Sequence, residues 1–204
     1  MRQQKGEERI VFEAGDVRLE GGLTMGSGAG RALVCHPHPV MGGNMDNKVV
    51  LHLVKAFAGL GMTVLRFNFR GVGLSSGSWD EGRGEVNDAQ HAFARLEATE
   101  TESGPLVVAG YSFGSYAGLV GAGGRPSHRV AVAPPFGMFD FDTLDGTSPK
   151  SLLLVGENDP ICPPETAHVW AEKLGGAEVR VCGGADHFFH GGGRWIRSEI
   201  QSFF

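Results

Sequence analysis

A serine stands between two glycines at the point where an apolar run ends. The segment is Gly110-Tyr111-Ser112-Phe113-Gly114, and the β-branched run that begins at Leu106 leads directly into it. When such a G-x-S-x-G pattern joins a buried strand to a helix, its sharp turn exposes the serine hydroxyl at the end of a sheet. Ser112 is therefore a candidate nucleophile. A glycine-rich strand-to-helix turn without chemistry would have the same residues.

A serine hydroxyl is a weak nucleophile unless a neighbouring base takes its proton. Two histidines, His187 and His190, follow the last apolar run of the chain, Glu178–Cys182. Sites in parallel α/β sheets form where strands end, so either histidine is a candidate base. His187 is closer to the strand end and is the favoured one. The competing interpretation for both is an ordinary loop histidine.

An acid must orient the imidazole and stabilise its charged form. Asp159 follows the preceding apolar run, and Pro160 fixes the backbone just after it. Glu157 is a rival in the same loop, and Asp186 is expected to shape the loop that carries His187. Nucleophile, acid and base candidates thus each follow a strand of their own, in that order.

Acyl transfer also requires N–H donors for the developing oxyanion. The backbone N–H of Phe113 is one candidate, and the other should come from the loop 36–40, which reads HPHPV. Proline has no N–H, so His38 is the best-placed donor and Val40 the second. His36 and His38 also suggest a metal site, but no carboxylate cluster accompanies them. We expect neither a metal nor an organic cofactor.

Short apolar runs alternate with longer amphipathic ones, which predicts a mostly parallel central sheet flanked by helices on both faces. The first two strands have no helix between them and predict an antiparallel hairpin at one edge, turning near Ala14-Gly15-Asp16. The predicted strands are Ile10–Glu13, Val17–Thr24, Arg31–His36, Met62–Asn68, Leu106–Tyr111, Arg129–Ala133, Ser151–Gly156 and Glu178–Cys182.

Apolar residues at three-to-four spacing predict the helices between most of these strands. They lie around Val49–Phe57, Val86–Leu96, Tyr116–Val120, Val169–Leu174 and Trp195–Phe204. Only 17 residues separate the strand ending at Ala133 from the one starting at Ser151, too few for a lid domain. The aromatic C-terminus supports either a homodimer or simple docking on its own domain.

Composition fits one domain over residues 1–204, with 41% hydrophobic and 20% charged residues. The net charge of −5 and the lack of a long basic run argue against a nucleic-acid partner. No apolar window spans a membrane and the N-terminus lacks a signal-peptide core, so we expect a cytoplasmic protein. Three cysteines without paired spacing argue against disulfides, and Cys35 and Cys182 are expected in the core.

Two further segments have structural interpretations. The segment 67–77, FNFRGVGLSSG, resembles a dinucleotide loop only faintly, because Ser76 stands where the third glycine belongs. We predict a structural turn beside the site. Glu85 and Asp88 open a predicted helix and are expected to be first-turn charges that favour its dipole.

Five motifs in order resemble the α/β-hydrolase superfamily, over roughly residues 10–204. They are His36-Pro-His-Pro, Gly42-Gly43 with Met45-Asp46-Asn47-Lys48, Phe67-Asn-Phe-Arg-Gly-Val-Gly, Gly110-Tyr-Ser-Phe-Gly and Gly184-Ala-Asp-His-Phe-Phe. More narrowly, the chain looks like the small, lidless bacterial branch related to dienelactone hydrolase. The resemblance implies a serine hydrolase with Ser112, Asp159 and His187 as its triad.

The chain departs from that branch at two positions. Dienelactone hydrolase has a cysteine nucleophile where this chain has Ser112, so its substrate is not carried over. Many relatives have aspartate where this chain has Asn68, a position interpreted here as structural. We expect hydrolysis of small carboxylic esters through an acyl-enzyme, with short acyl chains preferred. The alternatives are a peptidase, a thioesterase, or a catalytically silent hydrolase fold that acts as a binding module.

Overall fold

The computed structural model describes residues 6–99, 104–144 and 149–204. Within them, eight strands form one sheet, and five α-helices and one 3-10 helix, Pro39–Met41, accompany it. The strands are β1 Glu7–Ala14, β2 Val17–Thr24, β3 Arg31–Cys35, β4 Thr63–Phe67, β5 Leu106–Tyr111, β6 His128–Val132, β7 Lys150–Gly156 and β8 Glu178–Cys182. The α-helices are α1 Lys48–Gly59, α2 Arg83–Glu97, α3 Phe113–Ala122, α4 Pro164–Lys173 and α5 Gly193–Phe203.

The sheet has the order β1-β2-β4-β3-β5-β6-β7-β8. β1 pairs with β2, and β2 with β4, in antiparallel fashion, whereas the other pairs are parallel. Ala14 pairs with Val17, which closes the hairpin at one edge of the sheet. The predicted fold class and hairpin are confirmed, and every predicted strand is present with boundaries that differ by three residues at most.

Two apolar layers cover the two faces of the sheet. Because successive residues of a strand point to opposite faces, Leu33 joins the layer built with α2, α3 and α4, while Val34 joins the layer built with α1 and α5. Both side chains are fully buried. The central strands are therefore apolar at nearly every position, as a parallel sheet covered on both sides requires. Cys35 and Cys182 lie in these layers, as predicted.

Buried ion pairs attach the loops to the sheet. Arg66 lies fully buried in β4, and its guanidinium donates to Glu7 at 2.9 Å and to Asp46 at 2.6 Å. Asp88 accepts from the guanidinium of Arg70 at 2.8 Å and from its backbone N–H at 2.9 Å. The expectation that Asp88 is a first-turn charge is wrong, because it lies further along α2 and anchors the 67–77 loop instead.

Glu85 does occupy the first turn of α2, where its carboxylate accepts from the N–H groups of Gly82 and Asp80. This satisfies donors that a helix start leaves without partners. Asn68 is structural as well: its side chain accepts from the N–H of Met45 and donates to Glu20. These contacts hold the 67–77 segment as a turn beside the sheet.

The described part of the connection from β6 to β7 forms no lid. Within its described residues, 133–144 and 149, Phe136 and Phe141 are buried, and Phe136 stacks on Trp170 of α4 with ring centroids 4.7 Å apart. These buried rings hold the described part of the segment against α4. At the C-terminus, the ring of Phe204 packs against Phe57 and His128 of the same chain. A homodimer stays a prediction.

Candidate active site

The turn between β5 and α3 holds Ser112 in a backbone conformation that residues other than glycine rarely adopt. Its φ is +52° and its ψ is −124°, outside the common regions for a residue with a Cβ. The N–H of Ser112 donates to the carbonyl oxygen of Val132 at 2.8 Å, which ties the turn to β6. The strain positions the hydroxyl above the end of the sheet.

The two glycines of G-x-S-x-G are required by close backbone approach. A Cβ on Gly110 would overlap the carbonyl group of Gly114, and a Cβ on Gly114 would overlap the carbonyl groups of Cys35 and His36. Since no side chain fits at either position, the start of α3 can approach both its own strand and β3. This close approach places Ser112 next to the loop that follows β3.

His187 and Asp159 complete a hydrogen-bonded line with Ser112. Nε2 of His187 lies 3.0 Å from Oγ of Ser112, and Nδ1 lies 2.9 Å from Oδ2 of Asp159. Asp159 and His187 are both buried, whereas the rim above them is open. With the proton on Nδ1, the imidazole donates to the carboxylate and accepts from the hydroxyl, so it is poised to take the serine proton.

Asp159 is held by its second oxygen. Oδ1 accepts from the N–H of Ile161 at 2.8 Å and from the N–H of Cys162 at 3.0 Å. These bonds fix the carboxylate so that Oδ2 points at the imidazole. The loop 156–163 therefore fixes the position of the Asp159 carboxylate. The sequence predicts a loop at this point because the segment follows β7.

The loop that carries His187 is attached to the carboxyl ends of β7 and β5. The N–H of Asn158 donates to the carbonyl oxygen of Ala185 at 2.8 Å, and a Cβ on Gly156 would come within 2.7 Å of Asp186 O. The phenol of Tyr111 donates to the carbonyl oxygen of His187 at 3.0 Å. Sequence reasoning missed the roles of Tyr111 and Gly156. The signals were a hydroxyl-bearing ring and a glycine at the carboxyl ends of apolar strands.

The rival acid and base lie elsewhere. Exposed His190 bonds to Asp186 at 3.2 Å, and the carboxylate of Glu157 accepts from the N–H of Gly184 at 2.6 Å. Neither Glu157 nor Asp186 is the carboxylate at the His187 ring. The structure thus brings together the three residues that the sequence favoured and leaves the alternatives in loop-shaping roles.

His36 is a structural residue of the core. Its Nδ1 lies 2.6 Å from the carbonyl oxygen of Pro37, and its Nε2 accepts from the N–H of Phe69 at 3.1 Å. The ring is fully buried, and burial lowers the pKa of His36 to about 4. A neutral imidazole with both nitrogens engaged links the loop after β3 to the loop after β4.

His38 lies beside the nucleophile, with its ring 5.1 Å from that of Phe113 and 4.5 Å from that of Trp79. A cavity of about 200 Å³ is bounded by His38, Phe113, Ser112 and His187 together with apolar side chains of neighbouring loops. The lining includes Pro37, Met41, Pro135, Met138, Phe139, Ile161 and Phe188. That the N–H groups of Phe113 and His38 bind an oxyanion stays a prediction.

Comparisons with known proteins show which superfamily has this fold. A scan against protein-family models finds no match. The chain is 35% identical over 194 residues to the uncharacterised protein RP471 of Rickettsia prowazekii, which covers 89% of this chain and 82% of the relative. Within the described residues, no helix is long and apolar enough to cross a membrane.

Similar solved structures show which class of protein has this fold. An α/β serine hydrolase homologue from Coxiella burnetii is 33% identical, with a TM-score of 0.88 and 97% of both chains covered. XC6422 from Xanthomonas campestris, described as an α/β serine hydrolase without a lid, is 32% identical with a TM-score of 0.84, covering 98% of this chain and 94% of its own. A hypothetical α/β hydrolase from Agrobacterium tumefaciens, ATU1826, is 32% identical with a TM-score of 0.87, covering 96% of this chain and 94% of its own.

The chain belongs to the α/β-hydrolase superfamily. It is a hydrolase by this membership, and it shares the lidless architecture of XC6422. The narrower likeness to the dienelactone hydrolase branch stays a prediction.

Proposed function

We propose that the protein is a serine hydrolase that cleaves small carboxylic esters, with Ser112 as nucleophile, His187 as base and Asp159 as its acid. The observation that carries this proposal is the continuous line from Oγ of Ser112 through the imidazole to Oδ2 of Asp159, with steps of 3.0 and 2.9 Å. These distances fall in the range that proton transfer needs. Four exposed apolar or aromatic side chains, Met41, Met138, Ile161 and Phe188, line a small cavity and supply an apolar place for the acyl group.

The first half of the reaction forms the acyl-enzyme. His187 takes the proton of Ser112 as Oγ attacks the ester carbonyl carbon, and Asp159 stabilises the imidazolium that results. The tetrahedral oxyanion accepts hydrogen bonds from the N–H groups of Phe113 and His38. Collapse of the intermediate breaks the bond to the alcohol oxygen, which receives the proton from His187.

The second half hydrolyses the acyl-enzyme. Water enters the open site and donates its proton to His187 as its oxygen attacks the acyl carbon. A second tetrahedral intermediate collapses, the carboxylic acid leaves, and the proton returns to Oγ of Ser112. The net reaction consumes one ester and one water and forms one carboxylic acid and one alcohol.

The same residues could also serve thioesters or amides, since the triad logic does not depend on the leaving atom. Esters are favoured over amides because an alcohol leaves more readily than an amine and so needs less precise positioning in an open site. A panel of ester, thioester and aminoacyl substrates separates these reactions. The three free, buried cysteines fit the cytoplasmic location that we propose.

The first experiment is covalent labelling with a fluorophosphonate probe, read by intact mass and peptide mapping. We expect one adduct on Ser112 in the parent and none in Ser112→Ala. His190→Ala is the matched control, because it removes a histidine three residues from the base and should label like the parent. Folded parent protein that takes up no probe would instead favour the binding-module alternative.

Acyl-chain selectivity is a separate prediction. A cavity of about 200 Å³ holds only a small acyl group, and the described part of the β6–β7 connection adds no lid to its apolar wall. Across para-nitrophenyl esters of increasing chain length, kcat/KM should therefore be highest for chains of about two to four carbons. A rising kcat/KM towards long chains would contradict the proposed size of the acyl site.

A further inference from the structure

A second, larger cavity adjoins the apolar one. It has a volume of about 580 Å³ and lies between the first turn of α1 and the first turn of α5. Asn47, Tyr111 and Phe188 line both cavities, so the two spaces meet beside the nucleophile. The proposed ester chemistry does not use this second space.

The walls of the second cavity are cationic. Lys48 and Arg194 line it from opposite helices, and both side chains are exposed to the space. None of the ion pairs among the described residues includes either of them. In a chain of net charge −5, two cations that face one cavity and have no acidic partner mark a local excess of positive charge.

The other titratable groups of this cavity do not cancel that charge. The carboxylate of Asp46 already faces two cations: it lies 2.6 Å from the guanidinium of Arg66, which Glu7 shares, and 3.8 Å from that of Arg9. His52 carries no negative charge, and burial together with the charges of Arg197 and Lys55 lowers its pKa. His190 is engaged by Asp186 on the rim.

We propose that this second cavity binds an anionic group, a carboxylate or a phosphoryl group, on the alcohol side of the ester, with Lys48 and Arg194 as its partners. The inference rests on the proposed serine hydrolase function and deepens it by naming the substrate class. The substrate would then be an ester of a short acyl group with an alcohol that carries a negative charge.

The orientation follows from the proposed chemistry. The carbonyl oxygen must face the N–H groups of Phe113 and His38, which lie in the apolar cavity. The leaving oxygen must face Nε2 of His187, since it receives its proton there. The residues that follow His187 in the chain, 188–191, line the cationic cavity, so the alcohol is directed towards it.

The test compares aryl acetates that differ only in one meta substituent on the phenol. The substituents are carboxylate, phosphonate, neutral carboxamide and trimethylammonium, each measured with the parent, Lys48→Gln, Arg194→Gln and the double variant. Because these groups also change the acidity of the phenol, the readout is kcat/KM of the parent divided by that of the variant for each ester. Intrinsic reactivity cancels in that ratio.

Exposed charge pairs are modest in energy, so we expect each single variant to lower kcat/KM for the anionic esters by about two- to fivefold. The double variant should lose about tenfold. The carboxamide ester should be unaffected, the trimethylammonium ester unaffected or improved, and the losses should shrink at high salt. Lys55→Gln is the matched control, since it removes an exposed lysine of the same helix outside this cavity.

Equal losses for charged and neutral esters, or no loss for any, would overturn the anion site. If the losses appear only for the phosphonate or only for the carboxylate, the site is assigned to that group. Failure of the inference alone leaves Ser112 labelled and the neutral ester hydrolysed. Absence of both labelling and hydrolysis would overturn the proposed function, and the inference with it.

Discussion

The phenol of Tyr111 donates a hydrogen bond to the backbone carbonyl oxygen of His187, across 3.0 Å and 76 positions of the chain. Tyr111 directly precedes Ser112, so this bond ties the loop of the candidate base to the strand of the candidate nucleophile. Burial, with the charges of Asp159 and Asp186, raises the pKa of Tyr111, and the phenol therefore stays protonated as a donor. We therefore predict that Tyr111 is a positioning residue for the candidate base.

Replacing Tyr111 with phenylalanine removes that bond and leaves a buried carbonyl oxygen without its partner. We expect the free energy of unfolding to fall by about 1–3 kcal/mol and kcat/KM for a short ester to fall about tenfold, because the imidazole loses its fixed position. Denaturant unfolding and steady-state kinetics measure the two effects.

The rate of fluorophosphonate labelling separates positioning from stability alone. Tyr116→Phe is the matched control, because it removes a phenol from a ring that packs on Phe113, Phe139 and Phe141, none of which belongs to the His187 loop. If Tyr111→Phe is destabilised but labels Ser112 at the parental rate, the phenol does not position the base.

Asp159→Asn tests the acid with little disturbance of the fold. The amide oxygen of asparagine can still accept from Ile161 and Cys162, as Oδ1 does now, so the loop should keep its shape. The negative charge that stabilises the imidazolium is lost, and we expect kcat to fall by about 10²- to 10⁴-fold. Asp186→Asn, adjacent in sequence to His187, should retain most of the activity. Comparable losses in both variants would argue against Asp159 as the specific partner.

Much of this arrangement could be predicted from sequence because it depends on local signals. Strands that are buried on both faces are apolar throughout, and helices repeat every three to four residues, so the order of elements follows from the pattern. A residue just after a parallel strand must lie at the carboxyl edge of the sheet. That rule alone places Ser112, Asp159 and His187 on one edge.

Contacts between distant loops could not be predicted in this way. The bond from Tyr111 to His187 and the pair of Arg66 with Glu7 join residues 76 and 59 positions apart. Their partners depend on strand order and register, which hydrophobic periodicity does not specify. The same limit explains the error on Asp88. A carboxylate near the start of a helix suggests an interaction with the helix dipole, and the sequence does not show that Arg70 lies opposite Asp88.

Gly114→Ala tests the close packing of the serine turn. A Cβ there would lie 2.5 Å from the carbonyl oxygen of His36, a backbone atom that has little freedom to move. We expect the free energy of unfolding to fall by about 1–3 kcal/mol, and labelling of Ser112 to slow, because the turn must shift to relieve the overlap. Gly124→Ala is the control, since nothing lies within 4 Å of its added Cβ. Equal effects at the two glycines would contradict the packing argument.

We predict that the buried ring of His36 makes the folded protein less stable in acid. In the unfolded chain the pKa of histidine is about 6.5, whereas burial lowers the pKa of His36 to about 4 in the folded protein. Between these values the unfolded state binds more protons than the folded state, so stability falls as the pH falls. At 1.36 kcal/mol for each pKa unit, the full effect is about 3 kcal/mol.

His36→Asn removes this titration while keeping a side chain that can both donate and accept. Its unfolding free energy at pH 7 should be lower than that of the parent, because the imidazole packing on Phe69 is lost. Between pH 6.5 and pH 4, however, the variant should lose about 3 kcal/mol less than the parent does. Urea unfolding at several pH values measures both, and His190→Asn, which changes an exposed histidine, should follow the parent curve. A His36→Asn variant whose stability falls as steeply as the parent's would show that the acid sensitivity arises from other groups.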